Sequence, residues 1–446
     1  MKIGIVGAGP GGLTAAYELL KRGHTVTVFE REKTAGGQMS GFPLGGTILE
    51  RYYHHLFTSD RFAADQMKEL GIGDKLKFLP STVGFYSEGK IWPFVTPMDL
   101  LRFKPLSFLN RLRLGFSVVY LQRVRNWRRF ERVTAKEWII KYMGQQSYDK
   151  QWGPLMTSKF GDVTDQVAMA WLWSKFVTRG TSREGGGEKL GYVEGGFQVW
   201  ADALAAAVKK RGGELRLGAP IEKIAIQGGK VAGIQAGGKL HKFDAVVAAV
   251  PTPAFLRLVP DLPEPYASSV RACRYQGAIC LVLQMTESLS PVYWLNVADP
   301  GYPFVGVIEH TRLAPREWYG GAHVVYFSKY LSAKDPFFAA SDDAVYKAYL
   351  PHIKRMFPRF DEKTVVKRWC FRDAGAQPVM GLRYSENYPS IETPVGGLYM
   401  VNTAQIYPED RGTNYSALLG LRAAMQINGE DDGAASRAYR HIPNAP

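Results

Sequence analysis

The first thirty residues constrain the fold more than any other part of the chain. Residues 2–7 predict a buried strand, since all of them except Lys2 are uncharged and small or apolar. Residues 11–22 have the spacing of a helix, and residues 25–30 predict a second strand. A glycine-rich turn separates the first strand from the helix. A strand, a tight turn, a helix and a second strand make a βαβ unit, which builds a parallel sheet. The fold class predicted is therefore α/β.

The spacing of the glycines predicts a phosphate-binding turn. Gly7, Gly9 and Gly12 follow the G-x-G-x-x-G pattern directly after the strand and at the start of the helix. The helix N-terminus presents N–H groups and a partial positive charge to a pyrophosphate. Glu30 ends the second strand, where a carboxylate accepts both hydroxyls of an adenosine ribose and repels a 2′-phosphate. The sequence therefore predicts a dinucleotide cofactor and disfavours NADP.

Further elements of a nucleotide-binding fold recur along the chain. A helix is predicted at 198–211 and a helix at 415–427, with strands at 214–217, 221–226, 231–236, 244–250 and 398–402. The stretches between them are rich in Trp, Tyr and Phe. We expect one domain made of 1–80, 191–264 and 391–430, and a second made of 81–190 and 265–390. We also expect a loop at Glu184–Gly187 and a loosely ordered tail at 431–446.

At Gly36-Gly37-Gln38 the sequence resembles the superfamily of FAD-dependent amine oxidases, protoporphyrinogen oxidases and phytoene desaturases. Members carry a Gly-Gly pair and a basic residue after the second strand, and Gln38 replaces the basic residue here. Tyr192–Phe197, Pro220–Ile224 and Asp244–Pro251 also resemble family segments. The resemblance implies a Rossmann-like FAD-binding domain of the GR2 type with a discontinuous α+β substrate or cap domain.

The C-terminal match runs from Gly397 to Tyr415. In the family its strand ends in Gly-Asp, whereas Asn402-Thr403 stand here. The resemblance implies that the following helix points at the flavin pyrimidine edge, with Asn414 or Thr413 as N-cap. Because no Cys precedes this helix, FAD is expected to be non-covalent. The implied FAD-binding residues are Gly7, Gly9, Pro10, Gly11, Gly12, Glu30, Arg31, Gly36, Gly37, Gln38, Ile221, Asn402, Thr403, Gly412, Thr413 and Asn414.

The segment Glu50–Phe57 supplies the candidate catalytic residues. In the family the corresponding strand runs past the flavin, so Tyr53, His54 and His55 are expected to line the substrate channel, with one His acting as acid–base near neutral pH. Many amine oxidases place a Lys beside the flavin on a strand that corresponds to 276–284, which contains none. The resemblance thus favours a protoporphyrinogen oxidase or desaturase type of reaction, in which a hydride leaves an activated C–H bond of a largely apolar substrate for flavin N5.

Charge gives a second expectation. The net charge is +15, and residues 102–132 contain nine Lys or Arg against the single acid Glu131. Because aliphatic and aromatic residues alternate with these cations, residues 92–132 are expected to bind an anionic membrane surface, or else to form a solvated basic face. No nucleic-acid-binding signature accompanies them. The three cysteines form no CxxC pair, so no metal site is predicted.

The chain starts at once with a strand, and no apolar run reaches the length of about 18 residues that a spanning helix needs. A cytoplasmic protein, with or without membrane association, is expected. Two other readings stay open: a UDP-galactopyranose mutase-like flavoenzyme that acts on a nucleotide sugar, and a non-catalytic binding protein similar to GDP-dissociation inhibitors. The sequence does not determine the substrate, the electron acceptor or the oligomeric state.

Overall fold

The computed structural model describes residues 1–184 and 187–440. The strands are β1 (Lys2–Val6), β2 (Thr25–Phe29), β3 (Gly41–Leu44), β4 (Thr47–Glu50), β5 (Leu56–Phe57), β6 (Leu76–Ser81), β7 (Val83–Ser87), β8 (Lys90–Pro93), β9 (Arg183–Glu184), β10 (Gly187–Val193), β11 (Glu214–Arg216), β12 (Ile221–Gln227), β13 (Lys230–Ala236), β14 (Lys239–Lys242), β15 (Ala245–Ala248), β16 (Tyr275–Met285), β17 (Trp294–Val297), β18 (Gly306–Glu309), β19 (His323–Leu331), β20 (Val365–Pro378) and β21 (Leu398–Met400).

Helices lie on both sides of the sheets that these strands form. They are α1 (Pro10–Lys21), α2 (Arg61–Glu69), α3 (Pro97–Arg102), α4 (Phe108–Arg123), α5 (Ala135–Trp138), α6 (Gln145–Ser147), α7 (Gly153–Phe160), α8 (Met169–Thr181), α9 (Gln198–Lys210), α10 (Thr252–Leu258), α11 (Tyr266–Ala272), α12 (Asp342–Met356), α13 (Tyr384–Asn387), α14 (Thr413–Ile427) and α15 (Asp432–Tyr439).

A five-stranded parallel sheet forms the nucleotide-binding half, in the order β11-β2-β1-β15-β21. Its central strands are apolar on both faces, and Ile3, Ile5 and Val247 are fully buried. This pattern is typical of a parallel strand covered by helices on each side. The strands come from distant parts of the chain, as the sequence predicted, and the α/β fold class is confirmed.

The other half is built around a mixed seven-stranded sheet in the order β20-β16-β19-β18-β17-β7-β8. Helix α12 packs its buried residues against one part of this sheet, and Tyr349 and Ile353 are fully buried there. Helices α3 to α8 form a separate core rich in aromatic residues, in which Trp127, Trp173 and Phe130 are almost completely buried. We call this half the cap.

Two expectations about loops and termini need correction. Residues 431–440, which were expected to be loosely ordered, are packed against the rest of the protein. Helix α15 places Ala435 in the core, and Arg440 forms a buried ion pair with Glu409. The two ends of the predicted loop, Glu184 and Gly187, are strand residues that pair with each other, Glu184 in β9 and Gly187 in β10. Residues 185–186 and 441–446 lie outside the described part of the chain.

Helices α3 and α4 carry an exposed apolar surface. Leu109 and Phe116 are seven residues apart on one face of α4 and are 72% and 74% exposed. Other apolar residues of the same segment, among them Phe103 and Leu114, are buried core instead. None of the helices in the described residues is long and apolar enough to cross a bilayer.

Candidate functional site

The turn between β1 and α1 is formed by glycines, which leave the backbone uncovered by side chains. Gly7 has φ +100°, and a Cβ on Gly12 would lie 2.0 Å from the Gly7 carbonyl oxygen. A Cβ on Gly9 would approach only Gly37, at 3.9 Å, whereas a Cβ on Gly37 would lie 3.0 Å from the Gly9 Cα. Gly9 and Gly37 therefore place two backbones side by side with open space above Gly9, where a pyrophosphate can come close to the main chain.

The N-terminus of α1 meets this open surface. Pro10 occupies the first helical turn, and Gly9 is the N-cap residue without a side-chain hydrogen bond to the helix. Gly11 packs against the backbone of α14, since its added Cβ would lie 3.0 Å from the Ser416 carbonyl oxygen, and Gly420 packs against Gly11 in return. The two helices therefore touch through glycines, which fixes the position of α14 relative to the turn.

Glu30 presents a positioned carboxylate next to the turn. Its side chain is only 8% exposed, and it accepts hydrogen bonds from the Ala8 N–H at 2.7 Å and from the Glu32 N–H at 2.9 Å. Each oxygen keeps a lone pair for a ribose hydroxyl. The side chain of Arg31 is 76% exposed and pairs with Glu32. Ile221 is the first residue of β12, and two residues before it the Ala219 N–H donates to the Glu30 carbonyl.

The second glycine pair joins the turn to the cap. The Gly36 N–H donates to the Ala8 carbonyl at 2.8 Å, and Gly36 has φ +124°. The side-chain amide of Gln38 donates to Asp373 Oδ2 on β20 at 2.7 Å. The nitrogen of Gln38 therefore contacts the cap through one N–H, and its second N–H and its amide oxygen keep their hydrogen-bonding capacity for a ligand.

Helix α14 begins at Thr413, and its N-cap residue is Gly412. The expectation that Asn414 or Thr413 would be the N-cap is wrong, because both lie inside the first turn. The Asn414 Oδ1 accepts from the Ala63 N–H at 2.9 Å, while its buried Nδ2 has no hydrogen-bond partner in the described chain. The N-terminus of this 15-residue helix therefore has a positive end without a side-chain cap and one unused buried donor.

Asn402 and Thr403 have local structural roles. Asn402 caps the 3₁₀ turn Thr403–Gln405 through the Ala404 N–H and donates to the Val250 carbonyl at 3.2 Å. Both residues remain partly accessible. They join β21 to β15 at the carboxyl edge of the parallel sheet, which is the edge where ligands bind in folds of this kind.

The candidate catalytic residues lie in an irregular segment between β4 and β5 and not on a strand, contrary to the expectation. His54 Nδ1 donates to the Tyr52 carbonyl at 2.5 Å, and His55 Nδ1 lies 3.0 Å from the Tyr293 hydroxyl. Burial lowers the pKa of His54 to about 4 and that of His55 to about 3. A lowered pKa favours the neutral imidazole at pH 7, which is the form that can accept a proton, and the acid–base role of one His stays a prediction.

Aromatic rings enclose the same segment. The Tyr53 ring stands edge-on to Trp294 with centroids 5.0 Å apart, and the His55 ring contacts Phe57 and Trp294. The Tyr53 hydroxyl donates to Ser328 at 3.2 Å. Tyr53 and both histidines are half-buried among these rings. We call the region that these three side chains and the surrounding rings border the chamber.

The sequence analysis missed a buried hydrogen-bond chain behind this segment. His310 lies 2.7 Å from the Tyr319 hydroxyl, Tyr319 donates to Tyr192 at 3.1 Å, and Tyr192 donates to Glu50 at 2.8 Å. Burial raises the pKa of Glu50 to about 7. Phe197 donates its N–H to the same carboxylate. No spacing in the sequence relates these residues, since they come from separate elements.

A second missed group is a cluster of three cations around one carboxylate. Asp410 forms an ion pair with Lys175, lies 4.0 Å from Lys159 and accepts from the Trp171 indole at 3.0 Å. Arg411 donates to the Tyr330 hydroxyl at 3.0 Å. Asp410 and Arg411 directly precede the N-cap of α14, so their position in the sequence was the one available signal.

These residues fit FAD. The open backbone at Gly9, the carboxylate of Glu30 beside it and the uncapped N-terminus of α14 match a pyrophosphate, a ribose and the anionic edge of a reduced flavin, respectively. Asn414 contributes an unused buried donor at the last of these places. The fold and the site define an FAD-dependent oxidoreductase.

The chain belongs to the family described as flavin containing amine oxidoreductase, whose profile matches residues 10–428. Among curated relatives, the 15-cis-phytoene desaturase of Synechococcus elongatus is 22% identical over 80% of each chain. The all-trans-zeta-carotene desaturase of Myxococcus xanthus is 25% identical over 54% of this chain and 51% of that protein. The chain therefore spans about half of the length of the latter relative.

Solved structures show the same fold. Putrescine oxidase bound to putrescine has a TM-score of 0.73 at 18% identity, covering 96% of this chain and 100% of that one. Reduced UDP-galactopyranose mutase has a TM-score of 0.72 at 14% identity, covering 98% and 97%. Identities this low establish the fold alone.

Proposed function

We propose that this protein oxidises an activated C–H bond of a largely apolar substrate, in the manner of a desaturase or a protoporphyrinogen oxidase. The observation that carries the proposal is the uncharged aromatic lining of the chamber around Tyr53, His54 and His55. An apolar substrate gains free energy from contact with such rings, at about 25 cal/mol for each Å² removed from water. The desaturase relatives support the same reaction class.

When bound, FAD would accept the hydride, that is two electrons and one of the two hydrogens, and the other hydrogen would leave the substrate as a proton. The residues of this chain bind, orient and exclude water. The hydrogen bond to the Tyr52 carbonyl fixes the proton of His54 on Nδ1 and leaves Nε2 as an acceptor for the proton that leaves the substrate. The positive end of α14 would stabilise negative charge on the reduced cofactor.

We also propose that α3 and α4 dock on an anionic bilayer and bring the chamber to an apolar substrate. The exposed apolar residues of this segment include Leu101, Phe108, Leu109 and Phe116. Eight of the nine cations between 102 and 132 are exposed, all except Arg111, which is half-buried. Exposed apolar side chains that are ringed by cations match the boundary between lipid headgroups and acyl chains.

The test is an anaerobic titration of the FAD-loaded protein while the visible flavin absorption is followed. Phytoene in mixed micelles, putrescine and UDP-galactopyranose represent the apolar, amine and nucleotide-sugar readings. We expect the polyene to bleach the flavin and putrescine to leave it oxidised. Bleaching by putrescine alone would contradict the proposal. Turnover of the sugar nucleotide only after prior chemical reduction would favour the mutase reading instead.

A further inference from the structure

The cation cluster carries more charge than the protein neutralises. Lys159 on α7, Lys175 on α8 and Arg411 before α14 face the single carboxylate of Asp410. The nearby carboxylate of Glu188 forms an ion pair with Arg179 at 3.1 Å, so it does not balance the charge of the other three cations. The side chains of Lys159, Lys175 and Asp410 are only 19%, 27% and 29% exposed. Because charges that are largely withdrawn from water are normally paired, two unbalanced positive charges here need a physical reason.

Lys159 is the least satisfied of the three cations. In residues 1–184 and 187–440, no acceptor lies within hydrogen-bonding distance of its ammonium group, and Asp410 Oδ2 is 4.0 Å away. Its ammonium group also lies over the rings of Trp171 at 5.0 Å, Tyr330 at 5.4 Å and Phe160 at 5.9 Å. An ammonium group has three N–H donors, so Lys159 has unused hydrogen-bonding capacity. Its side chain is 19% exposed, so a ligand can reach it.

The cluster adjoins the chamber. Arg411 donates to the Tyr330 hydroxyl at 3.0 Å and to Gln377 Oε1 at 3.0 Å, and both partners are uncharged acceptors. Tyr330 in turn interacts with Tyr53, and Arg411 lies close enough to His54 to depress the pKa of that imidazole. A ligand in the chamber would therefore contact aromatic rings of the protein along one part of its length and the unbalanced cations at another part.

We propose that Lys159, Lys175 and Arg411 bind an anionic group of the substrate, either a carboxylate or a phosphate. This inference rests on the proposed function in that it takes the chamber as the substrate site. It predicts that an amphiphile with an apolar body against Tyr53 and Trp294 and a negatively charged end at the cluster binds more tightly than an uncharged hydrocarbon that makes the same apolar contacts. The same charges repel an ammonium group, so primary amines are poor ligands.

The experiment measures binding to the FAD-loaded protein by isothermal titration calorimetry, so that no turnover is needed. The probes are four amphiphiles with one chain length: dodecanoate, dodecyl phosphate, dodecanol and dodecylamine, each below its micelle concentration. We expect one or both anions to bind about tenfold or more tightly than dodecanol, because each charge-assisted hydrogen bond adds that much affinity. We expect dodecylamine to bind most weakly. The order of the two anions distinguishes a carboxylate from a phosphate.

The variant Lys159→Met removes one cation, and Lys159→Arg restores it. The matched control is Lys347→Met on α12, where the lysine side chain is 74% exposed and pairs with Asp343. We expect Lys159→Met to weaken anion binding about tenfold or more and to leave dodecanol binding unchanged. The control and Lys159→Arg should bind the anions nearly as the unsubstituted protein does.

A pH series on the unsubstituted protein is independent of whether any variant folds. Burial lowers the pKa of Lys159 and of Lys175 to about 8. Both are charged at pH 7 and lose that charge as the pH rises through this value, whereas Arg411 stays charged and Asp410 stays ionised. The affinity for dodecanoate, whose own charge is constant in this range, should therefore fall between pH 7 and pH 9, while dodecanol affinity stays constant.

Three results overturn the inference. Equal binding of anions and dodecanol, tightest binding of dodecylamine, or unchanged anion binding in Lys159→Met would each show that the cluster does not recognise an anion. If dodecanol binds and the anions have no advantage, the inference fails while the proposed function stands. If none of the four amphiphiles binds, the apolar chamber itself is refuted, and the proposed function fails with the inference.

Discussion

Replacement of Glu30 by Ala tests the cofactor site at the residue that the sequence and the structure both single out. The carboxylate is 8% exposed and is held by two backbone N–H groups at 2.7 and 2.9 Å. It is therefore positioned before the ligand arrives, and little conformational entropy is lost when a ribose binds. The substitution removes an acceptor for the ribose hydroxyls and adds no new bulk.

The expected magnitude follows from these contacts. A hydrogen bond to a charged group contributes about 1.5–3 kcal/mol, which corresponds to a roughly 10- to 150-fold larger dissociation constant for FAD. The N–H groups of Ala8 and Glu32 also lose their acceptor. That loss affects the protein with and without FAD alike, so it lowers the melting temperature of both forms and cancels in the dissociation constant.

The assay is quenching of flavin fluorescence as the apoprotein is titrated into FAD. Glu32→Ala is the matched control, because Glu32 is adjacent, its side chain is 53% exposed, and it pairs only with Arg31 in the described structure. Each variant removes one negative charge, so long-range electrostatics change equally. If Glu30→Ala and Glu32→Ala had the same dissociation constant for FAD, the assignment of Glu30 to the ribose would be refuted.

Three further predictions concern stability, membrane binding and the last helix. In denaturant titrations, Glu50→Gln should be up to about 3 kcal/mol more stable than the unsubstituted protein above pH 7 and equally stable near pH 4. The reason is that the pKa of Glu50 is about 7 in the folded protein and 4.5 in the unfolded chain, so the glutamate costs stability progressively as the pH rises between these values. A stability difference that does not change with pH would contradict this prediction. Replacing Leu109 and Phe116 together by Ser should reduce co-sedimentation with anionic vesicles at low salt. The melting temperature should stay unchanged, since both side chains are exposed. Equal pelleting of the double variant and the unsubstituted protein would refute docking through α4. Arg440→Met should destabilise the protein by about 3 kcal/mol or more, because it leaves the buried Glu409 carboxylate without its ion-pair partner; an unchanged midpoint of unfolding would contradict this role of the C-terminal segment.

The nucleotide-binding half was predictable because local signals determine it. The strand–glycine–helix pattern at Gly7 to Gly12 requires close backbone contacts that only glycine allows, and the structure shows them, with a Cβ on Gly12 only 2.0 Å from the Gly7 carbonyl. The buried parallel strands are continuous apolar runs of the kind that a sequence displays directly. Glu30 follows from the same pattern, because it ends the second strand.

The cap and the chamber were less predictable because their contacts join distant residues. Lys159, Lys175 and Asp410 meet from two helices and a loop, and no spacing in the sequence indicates that they do. The N-cap of α14 was misplaced by one or two residues, because Gly412 serves there through its backbone although Thr413 and Asn414 are better capping side chains. The neutral state of His54 likewise depends on burial, which only the folded chain provides.

The central claim is that this flavoenzyme removes two hydrogens from a C–H-rich apolar substrate that is bound between the aromatic rings around Tyr53 and the cofactor. The most direct measurement is an anaerobic single turnover of the FAD-loaded protein with phytoene, in which flavin bleaching is quantified and the product is analysed by mass spectrometry. The account predicts one new carbon–carbon double bond, and a product lighter by two hydrogens, for each flavin reduced. A flavin that stays oxidised with phytoene while an amine or a nucleotide sugar is converted would contradict it.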